Sequence, residues 1–211
     1  MQKFTIHSGI AAPLLLDNVN TDQIAPSQHG RELKPDYARM LFRRQRFLDD
    51  GRENPDFVLN QDRFRHASIL VAGANFGCGS SREAGVWTMT AFGIRCIIAR
   101  SFSDIYRENC LQNGVLPLVL PEEAIAPFEA RVLQADGQAP FSVDLEKQVL
   151  SGPHGPDIAF QIDPVFKFKL LRGLDDIGLT LSCDVQIREW EERTTRDLPF
   201  LQHLHDARLT G

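Results

Sequence analysis

Short, continuously apolar runs recur through the middle of the chain. The run 67–74 stops at Gly73, and two further runs follow at 94–99 and 115–120. Runs of this length without polar alternation are typical of strands that are buried on both faces, as in a covered parallel sheet. We therefore expect three strands of this kind.

The segments between and after these runs have the composition of helices. Residues 82–93 and 103–114 each end at a glycine, the second with Ser101 or Ser103 as its cap, and residues 121–137 begin with a proline in the first turn. Strand and helix therefore alternate three times between 69 and 135. This order predicts an α/β core with right-handed crossovers.

The flanking regions are more irregular. They are predicted to contain short strands at 4–6 and 13–16, a helix over 38–51, strands over 141–152 and 157–162, and helices over 165–173 and 184–194. No internal repeat or long linker separates these segments. We predict a single domain over residues 1–193, followed by a peripheral C-terminal tail over 194–211.

Composition narrows the class of protein. The formal net charge of −5, from 23 Lys and Arg against 28 Asp and Glu, argues against a general nucleic-acid or membrane-surface binder. We expect no secretory signal at the N-terminus, and no stretch of the sequence approaches the roughly 20 apolar residues of a membrane span. We expect a cytoplasmic protein.

The four cysteines, at 78, 96, 110 and 183, show no paired spacing. A disulfide framework is typical of short secreted chains, and structural zinc or iron–sulfur sites have closely spaced ligands. Neither pattern is present. We expect no metal on this chain.

The segment GANFGCGSSREAG, residues 73–85, contains four glycines. It follows a predicted parallel strand and precedes a predicted helix, which is where ligands bind in open α/β sheets. Its spacing does not match a P-loop, a dinucleotide fingerprint or a nucleophile elbow. The glycines indicate a backbone that approaches something closely.

Two interpretations of this segment are possible. Ser80 and Glu83 fit a capping box, and caps are common wherever helices begin. A cap does not require glycines on both sides of Cys78, nor Arg82 in a first turn where the helix dipole disfavours a cation. Backbone N–H groups, serine hydroxyls and a guanidinium would instead form a carboxylate site. The same helix end would stabilise an alkoxide if Ser80 acts as a base.

The segment NFGCGSSRE, with NVNTDQI upstream and NGVLPL and GLDDIGLTL downstream, resembles the small subunits of 3-isopropylmalate dehydratase in the aconitase superfamily. The likeness runs in the same order from about residue 4 to 193. It implies the swivel-domain fold, a three-layer β/β/α barrel-like arrangement. It also implies a heterodimer in which a large subunit carries a [4Fe–4S] cluster and this chain binds no cofactor.

The resemblance implies roles for four residues. Ser80 would be the catalytic alkoxide base, while Ser81, Arg82 and Asp22 would bind the substrate, with Arg82 clamping a carboxylate and Asp22 orienting the loop. The implied reaction moves a hydroxyl between neighbouring carbons of 2-isopropylmalate, by loss and re-addition of water, in leucine biosynthesis. It is a hydro-lyase reaction that needs the large subunit.

Some positions depart from the family pattern and leave alternatives open. Ala84 stands where many members have histidine, and the segment 27–47 does not indicate the substrate. A related hydro-lyase subunit for homoaconitate, citramalate or a dimethylmaleate-like diacid remains an alternative, as does a non-catalytic binding module with this fold. The arginines at 39, 43, 44 and 46 favour a solvated helix face or a partner contact over substrate ligands.

Overall fold

Helices and strands follow one another through most of the chain. The computed structural model describes residues 1–26, 35–79, 82–198 and 200. Their elements are, in chain order, β1 (Ile6–Gly9), β2 (Ala11–Leu14), α1 (Thr21–Ile24), α2 (Tyr37–Met40), α3 (Arg43–Arg46), β3 (Ile69–Ala72), α4 (Ala84–Phe92), β4 (Cys96–Ala99), α5 (Asp104–Gln112), β5 (Leu116–Val119), α6 (Glu122–Ala135), β6 (Phe141–Asp144), β7 (Val149–Ser151), β8 (Ile158–Ala159), α7 (Pro164–Arg172), α8 (Asp176–Leu181) and α9 (Asp184–Asp197).

Two compact units make up the described chain. The first is Met1–Gly173, and the second begins at Leu174 and contains α8 and α9. The boundary predicted from the sequence, between residues 193 and 194, is not the boundary between these two units. That division into a domain and a tail stays a prediction. None of the helices in the described ranges combines the length and the apolar character needed to cross a membrane.

The first unit contains two four-stranded sheets. One has the order β2-β3-β4-β5 with all neighbours parallel, and the other has the order β1-β6-β7-β8 with all neighbours antiparallel. The three apolar runs of the sequence are β3, β4 and β5, which are adjacent in the parallel sheet. The prediction of an α/β core is therefore confirmed.

Successive side chains of the parallel sheet face two different cores. Ile69 and Val71 of β3 pack in one core with β6, β7 and α6. Leu70 and Ala72, which point the other way, pack in a second core with α4 and α5. The parallel sheet is thus the middle of three layers, between an antiparallel sheet and a helical layer. This is the β/β/α order that the resemblance implies.

The helix predicted over 38–51 is wrong. α2 and α3 are single turns, separated by Phe42 in the left-handed region at φ 47°. Phe42 is buried, and its N–H donates to the carbonyl of Ile24 at 2.9 Å. Because this contact is made with a distant part of the chain, the local helical pattern gave no sign of the break.

The remaining comparisons with the predicted elements concern a hairpin, one further helix and two helix caps. The segment 141–152, predicted as strand, is a hairpin of β6 and β7, and α8 was not predicted. Asp163 caps α7, since its Oδ1 accepts from the N–H of Val165 at 2.8 Å. Ser103 takes the N-cap position of α5, one of the two serines proposed.

A buried arginine holds the loop between β7 and β8. Arg131 on α6 donates to the carbonyl oxygens of Gly152, Pro153, Gly155 and Pro156, at 2.9, 3.0, 3.3 and 2.7 Å. These carbonyls belong to a Gly/Pro-rich turn, so the guanidinium supplies donors that a strand ladder would otherwise provide. Loss of solvent around the side chain lowers the pKa of Arg131 from its ordinary value.

The loop after β3 lies directly on the ring of Tyr106. A Cβ added to Gly77 would stand 2.1 Å from Cγ of this ring, and one added to Gly85 would stand 3.2 Å from Cε2. Gly77 also has φ +76°, which disfavours other residues. Tyr106 is buried on α5 and packs edge to face on Phe76, with ring centroids 5.6 Å apart. Glycine at both positions lets the backbone rest on the ring.

Replacing Arg131 should destabilise the protein without unfolding it. In Arg131→Lys a single ammonium cannot reach all four carbonyls, so we expect a loss of about 2–4 kcal/mol in the free energy of unfolding, measured with urea. Arg44→Lys is the control, because Arg44 is exposed and makes no ion pair with a described residue. An equal, small effect of both variants would show that the loop does not depend on Arg131.

Gly77→Ala should cost more stability than its backbone conformation alone explains. We expect about 3 kcal/mol or more, since the new methyl group overlaps the Tyr106 ring. The matched control is Gly51→Ala, where φ is +82° and no atom lies within 4 Å of the added Cβ. That variant should lose only about 1 kcal/mol. Equal losses in thermal or urea unfolding would contradict the role given to the ring.

Candidate functional site

The parallel strands end together at one edge of the sheet. Leu14, Ala72, Ala99 and Val119 are aligned partners, each the last residue of its strand. The segments that follow these strands therefore leave the sheet side by side. In sheets of this type, the edge formed by the carboxyl ends is the usual place for a ligand.

The glycine-rich segment after β3 continues the strand pairing beyond the sheet. Gly77 donates its N–H to the carbonyl of Val19 at 2.8 Å, and Thr21 donates to the carbonyl of Cys78 at 2.9 Å. These bonds join it to the segment after β2. These hydrogen bonds hold the backbone of both segments in place, although neither segment is a regular strand.

Polar side chains hold the beginning of the same segment. Asp17 Oδ1 accepts from the N–H of Ala74 at 2.6 Å, and Ser101 Oγ accepts from the N–H of Asn75 at 2.8 Å. Asn75 itself has φ 54°, a conformation that asparagine tolerates better than most residues. The segments after β2 and β4 thus hold the glycine-rich segment between them.

Arg82 and Asp22, both predicted to bind substrate, lie together at this edge. Nη2 of Arg82 donates to Oδ1 of Asp22 at 2.7 Å, and their side chains are 50% and 61% exposed. No described residue accepts from Nη1 or Nε of this guanidinium. Those donors face no partner in the described part of the chain, so the group can still bind an anion.

A capping box fixes the turn that carries Asp22. Asn20 Oδ1 accepts from the N–H of Gln23 at 2.8 Å, and Gln23 Oε1 accepts from the N–H of Asn20 at 2.8 Å. This reciprocal pair encloses Asp22 in the first turn of α1. The carboxylate is therefore presented by a short but ordered helix.

Ser80 and Ser81, predicted as the base and as a second hydroxyl, lie outside the described residues. Their neighbours Gly79 and Arg82 are described. Gly79 has φ +93°, and a Cβ added there would lie 3.7 Å from Thr21 Oγ1. The roles of the two serines and of Arg82 and Asp22 stay predictions.

Of the two interpretations of the glycine-rich segment, the capping box of Ser80 and Glu83 does not match the helix positions. α4 begins at Ala84, so Glu83 is its N-cap rather than its third residue, and it makes no side-chain cap. Instead Glu83 Oε1 accepts from Nδ2 of Asn113 at 3.3 Å, while Oδ1 of Asn113 accepts from Trp87 Nε1 at 3.1 Å. Asn113 was missed as a site-supporting residue, because a contact across 30 positions leaves no local pattern.

The cysteines of this chain do not fit an iron–sulfur cluster. Cys96 and Cys110 are fully buried, and burial raises the pKa of both thiols well above the ordinary value, which disfavours the thiolate that a metal needs. Within the described ranges, no three His, Cys, Asp or Glu side chains come close enough together to hold a metal ion.

Arg46 differs from the solvated helix face expected for the four arginines of this region. It is buried, and it donates to Oδ1 of Asn60 at 3.1 Å and to the carbonyls of Ala38 and Leu41 at 2.8 and 3.3 Å. Its donors satisfy the backbone around the break between α2 and α3. Arg46 therefore has a structural role in this region.

Comparison with known proteins agrees with this geometry. The model of the aconitase C-terminal domain family matches residues 1–123. A 3-isopropylmalate dehydratase small subunit from Rhodospirillum rubrum is 49% identical over 205 residues, covering 95% of this chain and 97% of that protein. Its counterpart from Paramagnetospirillum magneticum is 48% identical over 202 residues, covering 95% and 100%.

A solved structure has the same fold. The crystal structure of 3-isopropylmalate dehydratase from Methanocaldococcus jannaschii superposes with a TM-score of 0.63 over 88% of this chain and 99% of that chain, at 24% identity. The β/β/α layers are therefore those of a known fold. The chain belongs to the aconitase C-terminal domain family, in the branch formed by the small subunits of 3-isopropylmalate dehydratase.

Proposed function

We propose that this chain is the small subunit of a heteromeric hydro-lyase that interconverts 2-isopropylmalate and 3-isopropylmalate in leucine biosynthesis. The observation that carries the proposal is near-half identity, along 95% of the chain, to small subunits named for this enzyme. These relatives are not named for homoaconitate, citramalate or dimethylmaleate. The alternative substrates and the non-catalytic module therefore gain no support.

Arg82 is proposed to bind a carboxylate of the substrate. A guanidinium can grip a carboxylate through two parallel N–H bonds, and Asp22 accepts a hydrogen bond from Nη2 alone. Asp22 would restrict the rotation of the long Arg82 side chain, which reduces the entropy lost when the substrate binds. The half-exposed position of both residues leaves the pair accessible to a small diacid.

Ser80 is proposed as the base that acts at carbon. Its alkoxide would take the proton, the C–H electron pair would form the carbon–carbon double bond, and hydroxide would leave the neighbouring carbon. Return of the proton from Ser80 to the carbon that lost the hydroxide, with addition of hydroxide to the carbon that lost the proton, gives the isomer and regenerates the alkoxide. Support comes from family membership and from the segment's position before α4, whose N-terminal end favours negative charge.

The [4Fe–4S] cluster of the family is proposed to lie on the large subunit. The buried, protonated thiols of this chain do not fit it. The chemistry assigned to this chain is therefore restricted to the carboxylate and the C–H bond of the substrate. A cytoplasmic location is part of the same proposal, and the free state of all four cysteines agrees with it.

Ser80→Ala in the reconstituted enzyme should lower turnover by at least about 10³-fold, because the base is removed while the binding groups remain. Association with the large subunit, measured by sedimentation, should stay within about twofold of the unsubstituted pair. Ser142→Ala, on β6 of the antiparallel sheet, is the matched control and should keep full turnover. Activity close to that of the unsubstituted enzyme in Ser80→Ala would refute the base and favour a non-catalytic module.

Arg82→Lys should raise KM by about 10- to 100-fold with a smaller change in kcat, since an ammonium cannot make the two-pronged contact. Unfolding free energy should change by less than about 1 kcal/mol, as is usual for exposed ion pairs. Arg63→Lys is the control, because Arg63 pairs with Asp136 at 2.6 Å at similar exposure. Steady-state kinetics showing equal KM for both variants would remove Arg82 from the binding site.

A further inference from the structure

Three arginine side chains line one cavity beside α2 and α3. The cavity measures about 450 Å³ and is formed in part by Arg39, Arg43 and Arg44. Phe47 and Leu48 give it an apolar wall. Volumes from about 300 to 1,000 Å³ are typical of sites for small ligands.

The ring of Phe47 holds two of these guanidiniums in place. The Cζ atoms of Arg39 and Arg43 lie 5.3 and 5.8 Å from the ring centroid. Cation–π contacts of this kind restrict the orientation of long arginine side chains. Their donors are thus partly ordered before any ligand arrives, which lowers the entropic cost of binding.

The acidic residues nearby in sequence are mostly engaged elsewhere. Asp36 Oδ1 accepts from the backbone N–H of Arg39 at 2.9 Å, and Asp36 makes no ion pair with the Arg39 guanidinium within the described ranges. In the same region, two ion pairs bind other carboxylates to other arginines. These pairs are Asp50 with Arg52 at 2.7 Å and Glu53 with Arg65 at 2.9 Å.

The cavity therefore has an excess of positive charge. Within the described ranges, no ion pair or side-chain hydrogen bond involves the guanidiniums of Arg39, Arg43 or Arg44. Asp49 is the carboxylate among the residues that line the cavity. Guanidiniums that share one cavity repel one another. A bound anion would relieve this repulsion.

We propose that this cavity binds a small anion with two or more carboxylate or phosphate groups. Guanidinium groups are suited to both groups, because their planar fork matches two oxygens at once. The apolar wall of Phe47 and Leu48 leaves room for the carbon skeleton of an organic anion. The site shares no residue with the Arg82 and Asp22 pair, and it does not depend on the proposed catalytic function.

Calorimetric titration of the full chain tests the site directly. Citrate and inorganic pyrophosphate serve as separate probes for the carboxylate and phosphate classes, and sodium chloride at matched ionic strength serves as the screening control. We expect saturable binding of at least one probe, with a stoichiometry of one at this site. The double variant Arg43→Gln/Arg44→Gln should weaken that binding by at least about 10-fold, since two charge-assisted contacts are lost.

Two control variants test whether the anion binds at this cavity or elsewhere on the protein. Arg52→Gln removes an exposed arginine of the same region that is paired with Asp50, and it should leave affinity within about twofold. Arg82→Gln removes the proposed substrate clamp and should also leave this affinity unchanged. Far-ultraviolet circular dichroism checks that each variant is folded, and Arg39→Gln alone provides a second, milder test.

Three outcomes would overturn the proposal. Heats that do not saturate, or that chloride reproduces, would mean a solvated arginine surface. Loss of binding in Arg82→Gln but not in Arg43→Gln/Arg44→Gln would place the anion at the proposed active site. Equal weakening by Arg52→Gln would indicate general electrostatic attraction. None of these results bears on the turnover lost in Ser80→Ala, so failure here is distinct from failure of the proposed function.

Discussion

The hydrogen bonds between the glycine-rich segment and the chain after β2 are the contacts on which the candidate site depends. They extend the parallel pairing of β2 and β3 beyond the sheet, through Gly77 with Val19 and Thr21 with Cys78. Arg82 and Asp22 are 60 positions apart in sequence, and this pairing brings them within 2.7 Å. The ion pair is exposed and contributes little stability itself. Its geometry comes from backbone bonds that do not involve either side chain.

The parallel core could be predicted from sequence because burial on both faces leaves a purely apolar run, a signal that needs no knowledge of partners. The break at Phe42 could not, because it depends on a bond to Ile24 that only the folded chain brings close. The capping box failed for a similar reason, since the Glu83 carboxylate is held by Asn113 of another helix end. The ion pair between Arg82 and Asp22 was not predicted, because the family resemblance implied only that Asp22 orients the loop and no local pattern contains the pair.

Arginine has three different structural settings here, and composition alone does not separate them. Arg131 and Arg46 are buried and donate mainly to backbone carbonyls, so each substitutes for a missing strand or helix bond. Arg82 is half-exposed and shares one carboxylate. The arginines at 39, 43 and 44 lie beside a cavity, and their guanidiniums make no ion pair or side-chain hydrogen bond within the described chain. What separates these settings is the supply of acceptors around each guanidinium, which is a property of the fold.

The packing of Tyr106 beneath Gly77 and Gly85 limits how this site can change shape. The ring lies against the backbone at these two positions, so neither glycine can move toward the interior to enlarge the space for a bulkier molecule. Closer contact between the site and a bound molecule would need movement of outer side chains or of a docked protein. Substrate selectivity would therefore be changed by substituting residues at the rim of the site. Replacing Tyr106 by a smaller residue to enlarge the site would destabilise the fold.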